Sequence, residues 1–150
     1  MIYLITGDVG AAHATFVDLS AECTSTALRN AAHCGFKGSA TAVTASALDV
    51  LRTPQQYGLR GTYGLISLTP PYEQISYPDL LEAVCSTPLL GENTVVVLEY
   101  PTEMGNLPYI LGGDKLFGVR NRRYGRTVLA IYVHRPAGGF DLRPQEFAPV

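Results

Sequence analysis

YGLISLTPPY, residues 63–72, is the stretch whose reading decides the fold. Its first six residues are a compact apolar run of strand length, and Thr69-Pro70-Pro71-Tyr72 stops it at once, because neither proline can donate a ladder hydrogen bond. Ser76 then offers an N-cap, Pro78 suits the first turn, and Leu80, Leu81, Val84 and Cys85 share one face, so a helix is expected to finish near Pro88. TVVVL, residues 94–98, follows without polar alternation, the pattern of a strand covered on both faces by helices. The sheet is therefore expected to be parallel at its centre.

Working outward, residues 14–19 read as a short apolar strand carrying Asp18 at its end. Ser20 caps a helix whose positive end suits Glu22, with Ala27, Leu28, Ala31 and Ala32 as its core-facing side and Gly35 as a left-handed stop. Residues 39–45 read as a second strand, 47–52 as a helical turn and 53–61 as a loop. Towards the C-terminus, residues 115–120 and 127–133 flank a polar turn at Tyr124-Gly125 and predict an antiparallel hairpin. Residues 135–150 hold three prolines and two adjacent glycines without periodicity, an irregular tail. Alternating strands and helices that close with a hairpin make an α/β three-layer sandwich, in which ligands bind at the carboxyl ends of the strands.

The composition narrows the function classes. At 150 residues the chain is the size of one domain, and 47% hydrophobic against 16% charged residues predicts a folded rather than a disordered protein. A net charge of -2 offers no global attraction to phosphates, so any nucleic-acid contact must be local. Cys23, Cys34 and Cys85 lack C-x-x-C spacing and read as reduced, core-lining thiols; His13, His33 and His134 are too scattered for a metal site. No apolar run approaches the roughly 20 residues of a membrane span, and MIYLITGDVG has the features of neither a signal nor a transit peptide.

Two features could carry chemistry at one sheet edge. Asp18 and Thr69 both end strands that point the same way if parallel; an acidic residue there can accept hydrogen bonds from a ribose diol, although an aspartate before a helix is more often a simple N-terminal charge. In the Thr-Pro-Pro-Tyr corner the prolines fix the backbone, leave their carbonyls without a neighbouring donor and aim Tyr72 outward. Carbonyl acceptors and an aromatic face are what the exocyclic amine of a flat base requires. The plainer reading, favoured by the tetrapeptide alone, is a strand stop with Tyr72 covering the core edge. Arg120, Arg122, Arg123 and Arg126 around Tyr124 could track phosphates while the tyrosine stacks, or could simply be a solvated hairpin tip.

Taken together, the strand-TPPY-helix of 63–87, PLLGENTVVVLEYP of 88–101 and RRYGRTVLAIY of 122–132 resemble the RsmD-type 16S rRNA guanine-N2 methyltransferases, especially their plant and algal plastid relatives. The likeness runs in order from residue 12 to 134, with GAAHATFVDLS similar to the family's second strand and SALDVL to the loop beside its adenine. The resemblance implies a class I, Rossmann-like, S-adenosylmethionine-dependent sandwich, its sheet mostly parallel with a C-terminal antiparallel hairpin. It puts Asp18 toward the ribose and Ser46, Ala47 and Leu48 near the adenine. Thr69, Pro70, Pro71 and Tyr72 would grip guanine, and Arg122, Arg123, Tyr124 and Arg126 would face the rRNA of the small ribosomal subunit. Gly7 and Gly10 resemble the end of the glycine-rich cofactor loop.

Two departures stand out. Thr69 replaces the aspartate usual in bacterial members, a neutral and weaker acceptor. Only MIYLITGDVG stands where a full first βα unit belongs, so that unit is expected to be incomplete. The expectation is an N-terminally incomplete methyltransferase domain over 1–134 with a tail over 135–150, monomeric, without metal or membrane, and acting in the chloroplast by family resemblance. The alternatives are an inactive RNA-binding or scaffold domain of the same descent, and a small-molecule methyltransferase.

Overall fold

The computed structural model describes the backbone of residues 2–6 and all of residues 12–149. In chain order the elements are β1 (Ile2–Thr6), β2 (His13–Asp18), α1 (Ala21–His33), β3 (Ala40–Thr44), α2 (Ala47–Arg52), β4 (Tyr63–Leu68), α3 (Tyr77–Ser86), β5 (Leu90–Pro101), β6 (Ile110–Leu111), β7 (Leu116–Tyr124) and β8 (Thr127–His134). Both expected caps are made: the Ser20 hydroxyl accepts from the Cys23 amide and the Ser76 hydroxyl from the Asp79 amide, each from an extended backbone. None of these helices is long and apolar enough to cross a membrane.

The strands form one eight-stranded sheet in the order β3-β2-β1-β4-β5-β8-β7-β6. β2, β3, β4, β5 and β7 run one way, and β1, β6 and β8 run against them. The expected mixed α/β sandwich with a closing hairpin is present. The sequence reading had no strand before residue 14, and β1 is a correction to it. β1 lies between β2 and β4, antiparallel to both, with Ile2 opposite Val17 on one side and Leu68 on the other. The reason is chain length: only residues 7–12 separate β1 from β2, whereas a parallel crossover needs roughly a dozen or more residues. A reversed β1 still joins the β2–β3 pair to β4 and β5.

The main core lies on one face of the sheet. Val17, Leu68, Leu98 and Ala130 line up across the strands, and α2 and α3 close over that face with Val50, Leu51, Leu80, Ala83 and Val84, all essentially without solvent exposure. Right-handed crossovers send α1, which leads leftward from β2 to β3, to the opposite face. Here two expectations need correcting. Leu28 and Ala32 of α1 are exposed, and Thr24 is the helix's buried residue, its hydroxyl bonded to Thr44 at 2.8 Å. Within TVVVL, Val96 and Leu98 are buried while Val95 and Val97 are only half-buried, so β5 is not covered equally on both faces. Beside α1 a groove of about 890 Å³ runs along Ala14 and Phe16 of β2. The α1 side is therefore the thin one.

Cys85 is buried, and desolvation pushes its thiol up to about 11, whereas Cys23 and Cys34 are exposed rather than core-lining, because α1 buries so little. Residues 135–149 contain one short 3-10 turn, Pro144–Glu146, yet the segment is docked: Phe147 is buried against β7, and a Cβ at Gly118 would collide with its ring. Arg120 donates to Asp141 and Arg122 pairs with Glu146, holding the same segment.

Candidate active site at the carboxyl edge of the sheet

Because β2, β3 and β4 run the same way, their carboxyl ends bring Asp18, Ser46 and Thr69 to one edge. They meet around a cavity of about 370 Å³, within the usual range for a small-molecule site. Asp18, Ser46, Ala47, Leu48, Thr69, Pro70 and Pro71 all line it. The larger groove beside α1 contains none of these strand ends.

Local chemistry sets each wall. Asp18 accepts the Ser20 amide at 2.8 Å through one carboxylate oxygen, and its own carbonyl accepts the Ala45 amide at 3.0 Å, which ties the ends of β2 and β3 together. Ser46 is the extended residue before α2, so Ala47 and Leu48 open that helix as an apolar wall. At Pro71 the corner departs from expectation: its carbonyl is used, accepting the Gln74 amide at 3.2 Å, because the chain turns there before α3. The Pro70 carbonyl is left as the main-chain acceptor between the two prolines. Gln74 also lines the cavity and was not picked out from the sequence, where it is one polar residue in a loop.

Tyr72 does not line the cavity. Half-buried beside it, the side chain points to the ends of β5 and β8, where its hydroxyl lies 2.8 Å from Glu99 Oε1 and 2.6 Å from Thr127 Oγ1. A carboxylate can only accept, so the single Tyr72 proton goes to Glu99 and the Thr127 hydroxyl donates to the Tyr72 oxygen. Burial raises the phenol pKa; the Thr127 hydroxyl opposes that shift and the Glu99 carboxylate adds to it, so the proton stays in place. Neither Glu99 nor Thr127 was found from sequence. Glu99 did carry a weak signal, a carboxylate directly after the apolar run TVVVL, although β5 continues past it to Pro101.

The hairpin tip stands at the same edge, since Pro101 at the end of β5 pairs with Thr127 at the start of β8. Tyr124 is 65% exposed. Arg122 pairs with Glu146 at 3.1 Å, Arg126 reaches Glu103 at 3.4 Å in a solvent-exposed pair, and Arg123 donates to the Gly125 carbonyl. The Arg126–Glu103 pair is exposed and worth about 0–1 kcal/mol, so a phosphate could displace it at little cost, whereas Glu146 is only 12% exposed and ties Arg122 to the docked C-terminal segment. Gly7 and Gly10, the expected cofactor glycines, lie outside the described residues.

A family model described as conserved hypothetical protein 95 matches residues 9–133. The chain belongs to that family. No curated protein matches it significantly in sequence. Among solved structures, a conserved hypothetical protein of Streptococcus pyogenes superposes with a TM-score of 0.68 at 19% identity, covering 93% of this chain and 76% of its own. A candidate methyltransferase of Escherichia coli gives 0.67 at 16% identity, with 84% and 64% covered. A candidate methylase of Haemophilus influenzae gives 0.67 at 18% identity, with 83% and 73% covered. This member of the conserved hypothetical protein 95 family thus has the Rossmann-like sandwich found in proteins assigned as methyltransferases, and it spans under two thirds of the Escherichia coli chain.

Proposed function

We propose that the protein is an S-adenosylmethionine-dependent methyltransferase that modifies the exocyclic N2 amine of a guanine in small-subunit rRNA, as a monomer and in the chloroplast. One observation supports this reading above the others: Asp18, Ser46 to Leu48 and Thr69 to Pro71 converge on one cavity, at the edge that also carries the arginine-rich hairpin.

The cavity walls suit the nucleoside half of the cofactor. Asp18 would bind the ribose hydroxyls, and Ala47 and Leu48 would hold the flat apolar adenine. The residues that would cradle its methionine half fall within the stretch containing Gly7 and Gly10, outside the described residues. When bound, S-adenosylmethionine supplies an electrophilic methyl group. The chain's own task is orientation: the Thr69 hydroxyl and the Pro70 carbonyl accept the amine hydrogens and turn its lone pair inward, and Tyr72 stacks on the base. No side chain has to remove a proton before transfer, and the hairpin arginines hold the flanking phosphates.

The test is calorimetric binding of S-adenosylmethionine, abolished in Asp18→Ala, joined to methyl transfer to rRNA or assembled small subunits but not to free nucleosides. Transfer to nucleosides alone would mean a small-molecule enzyme. A second reading, an inactive RNA-binding domain, is favoured by the reversed β1, which runs antiparallel to β2 and is separated from it by only residues 7–12. That reading requires salt-dependent RNA binding, weakened by Arg122→Ala and Arg123→Ala, with no methyl transfer at all.

A further inference from the structure

We infer that Glu99 and Thr127 are positioning residues for methyl transfer, acting through the Tyr72 hydroxyl; this rests on the reading of Thr69 to Tyr72 as the base grip. The tyrosine leaves a corner made stiff by Pro70 and Pro71, yet its far end is fastened outside that corner, at 2.8 Å to the end of β5 and 2.6 Å to the start of β8. With one proton given and one accepted, the hydroxyl is held between Glu99 and Thr127, so swinging the ring about its bond to the backbone would break both bonds. The ring packs against the core cluster on one side, and a half-buried hydroxyl needs a partner in any role; partners from two different strands also fix its direction.

The surroundings reinforce the anchor. The Tyr77 hydroxyl donates to the Glu99 carbonyl at 3.3 Å, which fixes the β5 end from α3. Thr127 is the first residue after the hairpin turn and pairs across it with the exposed Tyr124. The side chain that steadies the corner thus belongs to the first rung of the hairpin that would meet RNA. Locking a stacking platform before the base arrives removes its ordering cost from the transfer step, an effect that appears in kcat rather than in cofactor affinity.

Steady-state methylation of small-subunit RNA, with calorimetry of S-adenosylmethionine, tests this on five single variants and one double. Glu99→Ala, Thr127→Val and Tyr72→Phe are expected to lower kcat about ten-fold each, the scale of one lost hydrogen bond to a charged or positioned group. Cofactor affinity should stay within about two-fold, and Glu99→Gln and Thr127→Ser should keep most of the rate because they keep an acceptor and a hydroxyl. Since Glu99 is held to act through Tyr72, the double variant Tyr72→Phe/Glu99→Ala should lose little beyond either single change. Additive losses in the double, wild-type kcat in the truncated variants, or a parallel loss of cofactor binding would each overturn the inference. Should Glu99→Ala not fold, Thr127→Val against Thr127→Ser carries the comparison. A wild-type protein without methyl transfer would instead sink the proposed function and this inference with it, an outcome distinct from an active enzyme indifferent to Glu99.

Discussion

Thr69 stands on the wall of the strand-end cavity, at the corner where the resemblance to bacterial members implies an aspartate. A neutral hydroxyl accepts an amine hydrogen less strongly than a carboxylate does, by roughly 1–2 kcal/mol. Thr69→Asp should therefore raise kcat for rRNA about ten-fold, and Thr69→Ala should lower it; a Thr69→Asp protein slower than wild type would remove the base-grip assignment. Asp18 was legible because an acid closing a strand before a helix is a local pattern. Glu99 lies within β5 and lacks that pattern; its importance lies in a partner 27 residues away, and Thr127 lies 55 residues from the tyrosine it anchors. No local pattern reports contacts at that separation.

At the level of elements, the apolar runs and caps of β4, α2 and α3 located those elements closely, because stops such as Pro70-Pro71 and the Ser76 cap act within a few residues. The burial of α1 was misjudged. A small-residue stripe is compatible with a buried face, but what covers that face is set by the next element in space. The asymmetry is measurable: Leu51→Ala, from a side chain with no solvent exposure, should cost about 3 kcal/mol, and Leu28→Ala, 37% exposed, no more than about 0.5 kcal/mol. Equal losses in urea melts would mean that α1 is covered as fully as α2. Gly118→Ala should cost about 2 kcal/mol by pushing the Phe147 ring off β7, and it should release residues 135–149 to limited proteolysis.

For the whole molecule, stability should depend on pH mainly at the alkaline end. Burial is the leading cause that raises the pKa values of Tyr72, Tyr77, Tyr100 and Tyr132, and it lifts the Cys85 thiol from 9.0 to about 11. Groups whose folded pKa is raised contribute stability that is complete below the unfolded value and is lost as pH rises toward the folded one. The Cys85 share should disappear between pH 9.0 and about 11, and the tyrosine share from pH 10.0 upward. Thermal melts followed with tyrosinate absorbance should show Tm falling from about pH 9 onward; a Tm unchanged to pH 11 would contradict the burial of these side chains.

The sequence by itself determined the order of strands and helices from residue 14 onward except for the two-residue β6, which falls in a segment read as a connector, and it determined the caps, the proline stop after β4 and the acid that ends β2. Each of these follows from forces between residues only a few positions apart. The tertiary structure alone decided the direction of β1, which the short link to β2 forces into a hairpin, and the single-faced core that follows from which elements cover the sheet. It also decided that Asp18, Ser46 and Thr69 share one cavity and that Tyr72 is tied to Glu99 and Thr127. Strand order and direction set those meetings, and both depend on pairings across the length of the chain that no stretch of it carries alone.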